Sequence, residues 1–168
     1  MVERVVLVDE ADRELGTREK LVAHQRGELH RALSVFLFDV HGRVLLQRRA
    51  LGKYHSAGLW ANACCSHPRP GEDVAEAARR RLAEELGVEA QLKAAGTFLY
   101  RAEVGAGLVE HELDHVFVGR FDGDPRLDPG EADAWVWLEP AALEARIAAG
   151  DPTLVAWLAR AWALARGA

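Results

Sequence analysis

The sequence predicts an α+β fold, a mixed β-sheet layered with helices, in one domain covering residues 1–168. Three observations carry that expectation. Short β-rich runs recur along the chain as far as residue 138, a helical pattern interrupts them at 72–86, and two further helical patterns close the chain. With 168 residues, of which 49% are hydrophobic, there is apolar surface for one good-sized core and little for a second.

The elements read as follows. Val5 to Asp9 is a short strand, followed by a polar turn at Asp12 to Gly16 and a segment from Thr17 to His30 that carries two histidines. Ala32 to Asp39 and Arg43 to Arg48 are β-rich runs separated by Val40-His41-Gly42, which predicts a hairpin, and Gly52 to Gly58 is a loop. Leu59 to His67 reads as one more strand. Pro68 and Pro70 then break regular structure before the helix from Glu72 to Leu86, which Gly87 ends. Strands follow at Gly96 to Val104 and Glu110 to Phe121 around the turn Gly105 to Gly107. The Pro/Gly/Asp loop Asp122 to Gly130 leads to a strand at Ala134 to Leu138, and helices are expected at Pro140 to Ala149 and Pro152 to Arg166. In the last of these, Leu154, Trp157, Leu158, Ala161 and Trp162 recur at helical spacing as a core stripe.

Composition narrows the function. A formal net charge of -5 without a basic tail argues against a nucleic-acid surface, so an anionic ligand would need a local cationic pocket. The apolar run Val5 to Val8 is too short for a signal peptide or a membrane span, which leads to the expectation of a cytoplasmic protein with no membrane partner. The two cysteines, Cys64 and Cys65, are adjacent and do not make a disulfide framework, so reduced thiols are expected.

Side chains on a strand alternate faces, so Cys65 and His67 share one face and Cys64 points the other way. Cys64 fits a core thiol, whereas an imidazole beside Cys65 must be hydrogen-bonded or bind something. Glu110 and Glu112 likewise share a face. Two carboxylates so placed are either solvated on an edge strand or drawn together by a metal ion. With His24, His30 and His67 they make a set of imidazole and carboxylate donors suited to zinc or manganese, although any one of these histidines taken alone is more often solvated. Lys20, Arg48, Arg49 and Lys53 flank the first hairpin and offer guanidinium and ammonium donors for phosphate oxygens, or else a solvated surface.

Ser66 to Val88 resembles a degenerate Nudix box. Glu72, Arg80, Leu82, Glu84, Glu85, Gly87 and Val88 match its pattern; Ser66 replaces the first glycine and Arg81 replaces a metal-binding glutamate. Arg81 lies one helical turn before Glu85 and puts a cation where a diphosphate hydrolase would hold a carboxylate, so it suits gripping a diphosphate better than helping to cleave it. Further segments are Glu19-Lys20 with His24, Leu29-His30, Arg48-Arg49-Ala50-Leu51 with Lys53, Gly58 to Asn62, Cys65 to Pro68, Tyr100-Arg101 and Glu110 to Glu112. In order and rough spacing they are similar to the type I isopentenyl diphosphate isomerases of the Nudix fold, from about residue 4 to residue 140.

The resemblance implies an enzyme that interconverts isopentenyl and dimethylallyl diphosphate through a carbocation, in isoprenoid precursor supply. Cys65 and Glu112 would be the proton-transfer pair on opposite sides of the allylic unit, with Tyr100 beside Glu112. His24, His30, His67, Glu110 and Glu112 would bind one zinc or manganese ion. Glu85 would hold a magnesium ion shared with the diphosphate, and Lys20, Arg49, Lys53 and Arg81 would contact the diphosphate directly. The family's C-terminal Ser-Pro-Trp-like stretch corresponds to Asp151-Pro152-Thr153 in this reading. Trp157 is then either a core tryptophan or, from the same helix face, the indole turned to the carbocation. A Nudix diphosphate hydrolase and a non-catalytic diphosphate-binding protein are the alternatives; Arg81 argues against the first and the intact acid/base pair against the second.

Overall fold

Strand β1 (Arg4–Val8) pairs antiparallel with β2 (Glu14–Glu19), and the short helix α1 (Lys20–Arg26) follows at once in the computed structural model, which describes residues 1–168. Gly27 ends α1 in the left-handed region at φ 63°, where a side chain would be strained, and turns the chain into β3 (His30–Phe38). β4 (Val44–Arg49), β5 (Trp60–Asn62) and β6 (Cys64–Ser66) come next, then α2 (Val74–Leu86). The long strands β7 (Leu92–Glu103) and β8 (Val109–Arg120) form an antiparallel pair, and β9 (Ala132–Leu138) precedes α3 (Pro140–Ala148) and α4 (Leu158–Ala165). All nine strands belong to one sheet, mixed because β3 and β8 run parallel.

Alternation along β3 separates two hydrophobic layers. Leu33, Val35 and Leu37 point to one face and pack with Cys64, Ala78, Leu82 and Leu86 under α2, whereas Phe36 points to the other and packs with Val44, Leu46, Leu158 and Trp162 under α4. α2 forms because Ala77, Ala78, Leu82, Glu85 and Leu86 recur on one buried stripe and because Asp73 caps its start, accepting from the backbone N–H groups of Ala75 and Glu76 at 2.9 and 3.0 Å. Gly87 closes it at φ 61°.

Four expectations change. The hairpin of β3 and β4 is reduced to the single pair Phe38–Val44, because β3 turns its edges to β6 and β8 while β4 pairs with β5 and β9. The expected strand 59–67 is two strands that change partner at Ala63, and the side-chain amide of Asn62 fills the break by donating to the carbonyls of Val35 and Cys64 at 3.0 and 2.9 Å. The turn expected at 12–16 lies at residues 10–11, and Glu14 to Glu19 is a strand. The last helix starts at Leu158, not Pro152, because Trp60 holds residues 153–155 in an extended clip: its N–H donates to the Thr153 carbonyl and its own carbonyl accepts from Val155. Trp157 therefore caps the helix and does not ride on its face.

Asp73→Ala removes the acceptor for two otherwise unpaired N–H groups at the start of α2. It should cost about 1 kcal/mol of folding stability, read as a shift of the urea midpoint at unchanged m.

Candidate active site

The two edges of β3 bring the predicted residues together. One edge pairs with β6 over Leu33 to Val35, setting Cys65 opposite Ser34, and the other pairs with β8 over His30 to Phe38, setting Glu112 opposite His30. Paired residues share a face, so Cys65 and Glu112 approach one side of the sheet from opposite edges of the same strand. Both line a cavity of about 280 Å³, with His67, Glu110 and Trp157 also in its wall.

Beside it, three histidines converge at the sheet end where α1 meets β3. The His24 and His30 rings lie 4.9 Å apart and those of His30 and His67 5.0 Å apart, and His24 and His30 are fully buried. His24 Nδ1 donates to the Lys20 carbonyl at 2.7 Å and His30 Nδ1 to the Glu28 carbonyl at 2.8 Å. Because a carbonyl only accepts, both rings carry hydrogen on Nδ1 and present a bare Nε2. Neither Nε2 has a hydrogen-bond partner although both are buried, and donor atoms of His24, His30, His67 and Glu112 all lie within 4.8 Å of one another. Unpaired buried nitrogens aimed at a carboxylate fit a divalent ion, whose ligand imidazoles are typically oriented by such second hydrogen bonds.

The paired carboxylates are split by their surroundings. Burial alone would raise Glu112, but the His30 and His67 rings that face it at 3.4 and 3.0 Å draw its carboxyl well below the usual carboxylate range. Glu110 is pushed well above that range by burial and by the charge of Glu112. Tyr100 lies opposite Glu112 in the β7–β8 register, and its hydroxyl donates to the other carboxylate of the pair, Glu110 Oε2, at 3.1 Å.

Cys65 Sγ donates to Asn62 Oδ1 at 2.9 Å and accepts from Trp157 Nε1–H at 3.1 Å. Burial, then the charge of Asp114, pushes the thiol well up, so it keeps its proton at neutral pH. Trp157 is thus a core side chain and a cavity wall at once, and the Arg49 guanidinium lies 5.6 Å from its ring centroid. Cys64 faces the α2 layer, as alternation predicts.

The cations divide. Lys20, Arg49, Lys53 and Arg81 line the cavity, whereas Arg48 points away and pairs with Asp133 at 2.6 Å. Three of the four already hold carboxylates. Lys20 pairs with Glu3 at 3.1 Å and Lys53 with Glu131 at 2.5 Å, while Arg81 bonds Glu84, Glu85 and Glu131 at 2.7, 2.6 and 3.2 Å. Glu85 lies behind Arg81 and outside the cavity wall, only 2% exposed, and burial lifts its carboxyl to about 7 despite the arginine beside it.

Sequence reasoning passed over several residues of this centre. His55, in the loop taken as irregular, reaches Glu110 Oε1 with Nε2 at 3.2 Å. Asp114, two residues beyond Glu112 on the same face, is buried and accepts from Ser34 Oγ at 2.8 Å, a position that extending the alternation would have found. Glu131 carried no spacing signal, and Asn62 entered only within the Gly58 to Asn62 segment, with no role assigned.

A family model described as the NUDIX domain matches residues 28–158. The chain is 56% identical to "Isopentenyl-diphosphate Delta-isomerase 2" of Aromatoleum aromaticum, over 95% of this chain and 84% of that protein. It is 50% identical to the "Isopentenyl-diphosphate Delta-isomerase" of Nocardia farcinica, over 98% and 95% of the two chains. Among solved structures, DR0079 from Deinococcus radiodurans superposes with a TM-score of 0.78 at 25% identity, covering 96% of this chain and 99% of that one. A MutT protein from Methanosarcina mazei, with a TM-score of 0.66 at 22% identity over 80% and 91% of the chains, shares the fold.

Asn62 is fully buried and joins β3, β6, Cys65 and Trp157 through four hydrogen bonds. Asn62→Ala should cost about 3 kcal/mol in denaturant unfolding, because two carbonyls and the Cys65 thiol lose a partner together.

Proposed function

The chain belongs to the Nudix family and, within it, to the isopentenyl-diphosphate Delta-isomerases, and from that membership we propose how its cavity moves a double bond. The substrate is isopentenyl diphosphate and the product dimethylallyl diphosphate, in isoprenoid precursor supply, with the whole chain acting as one Nudix-like domain. The observation that carries the reading is that Cys65 and Glu112 enter one cavity from opposite edges of β3. A proton is added to the terminal carbon on one side, leaving a tertiary cation, and a proton is removed from C2 on the other. The atoms of the substrate are conserved, and the diphosphate stays intact.

The two groups suit such an exchange because their environments hold them differently: Cys65 stays a thiol, whereas Glu112 is ionised and fixed by His30 and His67. Tyr100 and Glu110 stand next to Glu112 as a short hydrogen-bonded chain. A tertiary cation would be trapped by water, so the buried indole of Trp157, set against the half-buried thiol by its N–H, serves to keep the reacting carbon dry. The π face of this indole, which the Arg49 guanidinium already approaches, is suited to facing the cation.

His24, His30, His67, Glu110 and Glu112 would hold zinc or manganese, and Glu85 magnesium. Bound there, the first ion would offset the repulsion of the two carboxylates, and the second would take up charge on the diphosphate. Lys20, Arg49, Lys53 and Arg81 would grip the phosphate oxygens, three of them exchanging their present carboxylates for the stronger anion. Arg81 neutralises Glu84 and Glu85 on the helix where a hydrolase would gather carboxylates, which disfavours phosphate cleavage. The free thiols Cys64 and Cys65 support a reducing compartment, the cytoplasm; no helix is long and apolar enough to cross a membrane.

Incubation with isopentenyl diphosphate, magnesium and zinc or manganese in deuterated water should place deuterium in dimethylallyl diphosphate. Release of phosphate or diphosphate, or no turnover, would sink the proposal. Cys65→Ala and Glu112→Gln should each lose on the order of 10³-fold in turnover with the fold intact. Trp157→Phe, which keeps a π face, should retain roughly tenfold more activity than Trp157→Ala.

A further inference from the structure

We propose that His55 belongs to the histidine centre as a positioning residue, donating Nε2–H to Glu110 Oε1 and setting the plane in which that carboxylate meets the ion. The inference rests on the metal-centre reading above and concerns a residue that lies outside its five ligands.

His55 sits in the loop between β4 and β5, yet its side chain is only 6% exposed. Its ring stacks on His24, with centroids 5.7 Å apart at 29°, and meets the Tyr54 ring edge-on at 4.7 Å. The loop is fixed on both sides. Arg49 donates to the His55 carbonyl at 3.2 Å, Gly58 N–H to the Arg49 carbonyl at 2.9 Å, and Ala50 N–H to the Glu131 carbonyl at 2.9 Å. An imidazole held this firmly against a carboxylate is a built contact.

Hydrogen-bond chemistry separates His55 from the ligand histidines. His24 and His30 each face a main-chain carbonyl with Nδ1, which forces the hydrogen onto that atom and leaves Nε2 bare for an ion. His55 Nδ1 instead faces the Ser56 hydroxyl at 3.2 Å, and a hydroxyl donates as readily as it accepts. Nε2 is then free to carry the hydrogen, and the atom 3.2 Å away is an oxygen of Glu110, which as a carboxylate ligand of an ion would only accept. Glu110 is therefore held at both oxygens, by His55 at Oε1 and by the Tyr100 hydroxyl at Oε2. A carboxylate offers about four lone-pair directions, so two remain for an ion, in a plane that the two donors have chosen. The competing possibility is direct ligation, since donor atoms of His24, His55 and Glu110 also lie within 4.8 Å of one another.

Glutamine and asparagine distinguish these roles. The amide of Gln reaches where Nε2 stood and can donate, whereas that of Asn lies near the former Nδ1 and falls short. Zinc and manganese affinities of the full chain, measured by calorimetric titration, should be weakened about 10- to 100-fold in His55→Asn and largely restored in His55→Gln. The visible bands of the cobalt-loaded protein should keep their position and intensity in both, because no ligand is lost. Near-ultraviolet circular dichroism of the metal-free proteins checks that each variant is folded. Asparagine-variant affinity within twofold of wild type, or a glutamine variant no better than the asparagine one, overturns the proposal; altered cobalt bands would then mark His55 as a direct ligand. A wild-type protein that binds neither metal would overturn the centre itself, and the role of His55 with it.

Discussion

The parallel pairing of β3 with β8, in the register that sets His30 opposite Glu112, is the constraint on which the rest of the site depends. A shift of one residue would turn Glu110, Glu112 and Asp114 toward α2, into a layer of Leu82, Leu86 and Phe117 that holds no partner for a carboxylate. The apolar layers enforce the register from both sides, because Val116 belongs to the α4 layer and Phe117 to the α2 layer. Hydrophobic patterning at one end of β8 thus aims the polar residues at its other end.

That aim is needed because the site buries an unusual quantity of polar side chain. His24, His30, His55, Glu110, Glu112 and Asp114 are all buried within one end of a single sheet. Each carboxylate is held by neighbours: His30 and His67 keep Glu112 low, Tyr100 bonds Glu110, and Ser34 bonds Asp114. Two of the nitrogens left without partners, His24 Nε2 and His30 Nε2, sit where an ion would complete the set. A network partly satisfied by protein alone is expected to be stabilised when its ligand arrives.

Much of this was legible in the sequence because strand periodicity is a short-range signal. Alternation separated Cys65 from Cys64 and put Glu110 with Glu112, and both assignments agree with the observed faces. Where contacts are set by the meeting of distant segments, the sequence was silent. His55 and Glu131 lie in loops, and their partners Glu110, Lys53 and Arg81 are chosen by tertiary approach. Asn62 looked like an ordinary strand residue because its role, bridging a strand that changes partners, exists only after the sheet is assembled. Trp157 was assigned to a helix face because its spacing to Trp162 is helical, but the hydrogen bonds between Trp60 and residues 153–155 delay the helix and swing the indole onto the thiol.

The cations show a different kind of economy. Lys53 and Arg81 come from a loop and from α2, and both meet Glu131, whose backbone also holds the loop at Ala50. Like charges brought this close would repel in a partly buried pocket, so a carboxylate between them lets the cations stay converged before any substrate arrives. Such a pairing costs affinity, because an incoming diphosphate must displace it. It also preserves geometry, since the cations lose less freedom on binding when they are already placed. Arg49 is the exception. It has no carboxylate partner, donates to the His55 carbonyl and lies against Trp157, and so links the phosphate end of the cavity to its dry end. An anion that engages Arg49 would therefore act on the same loop that carries His55, coupling the grip on the diphosphate to the carboxylate at the metal centre.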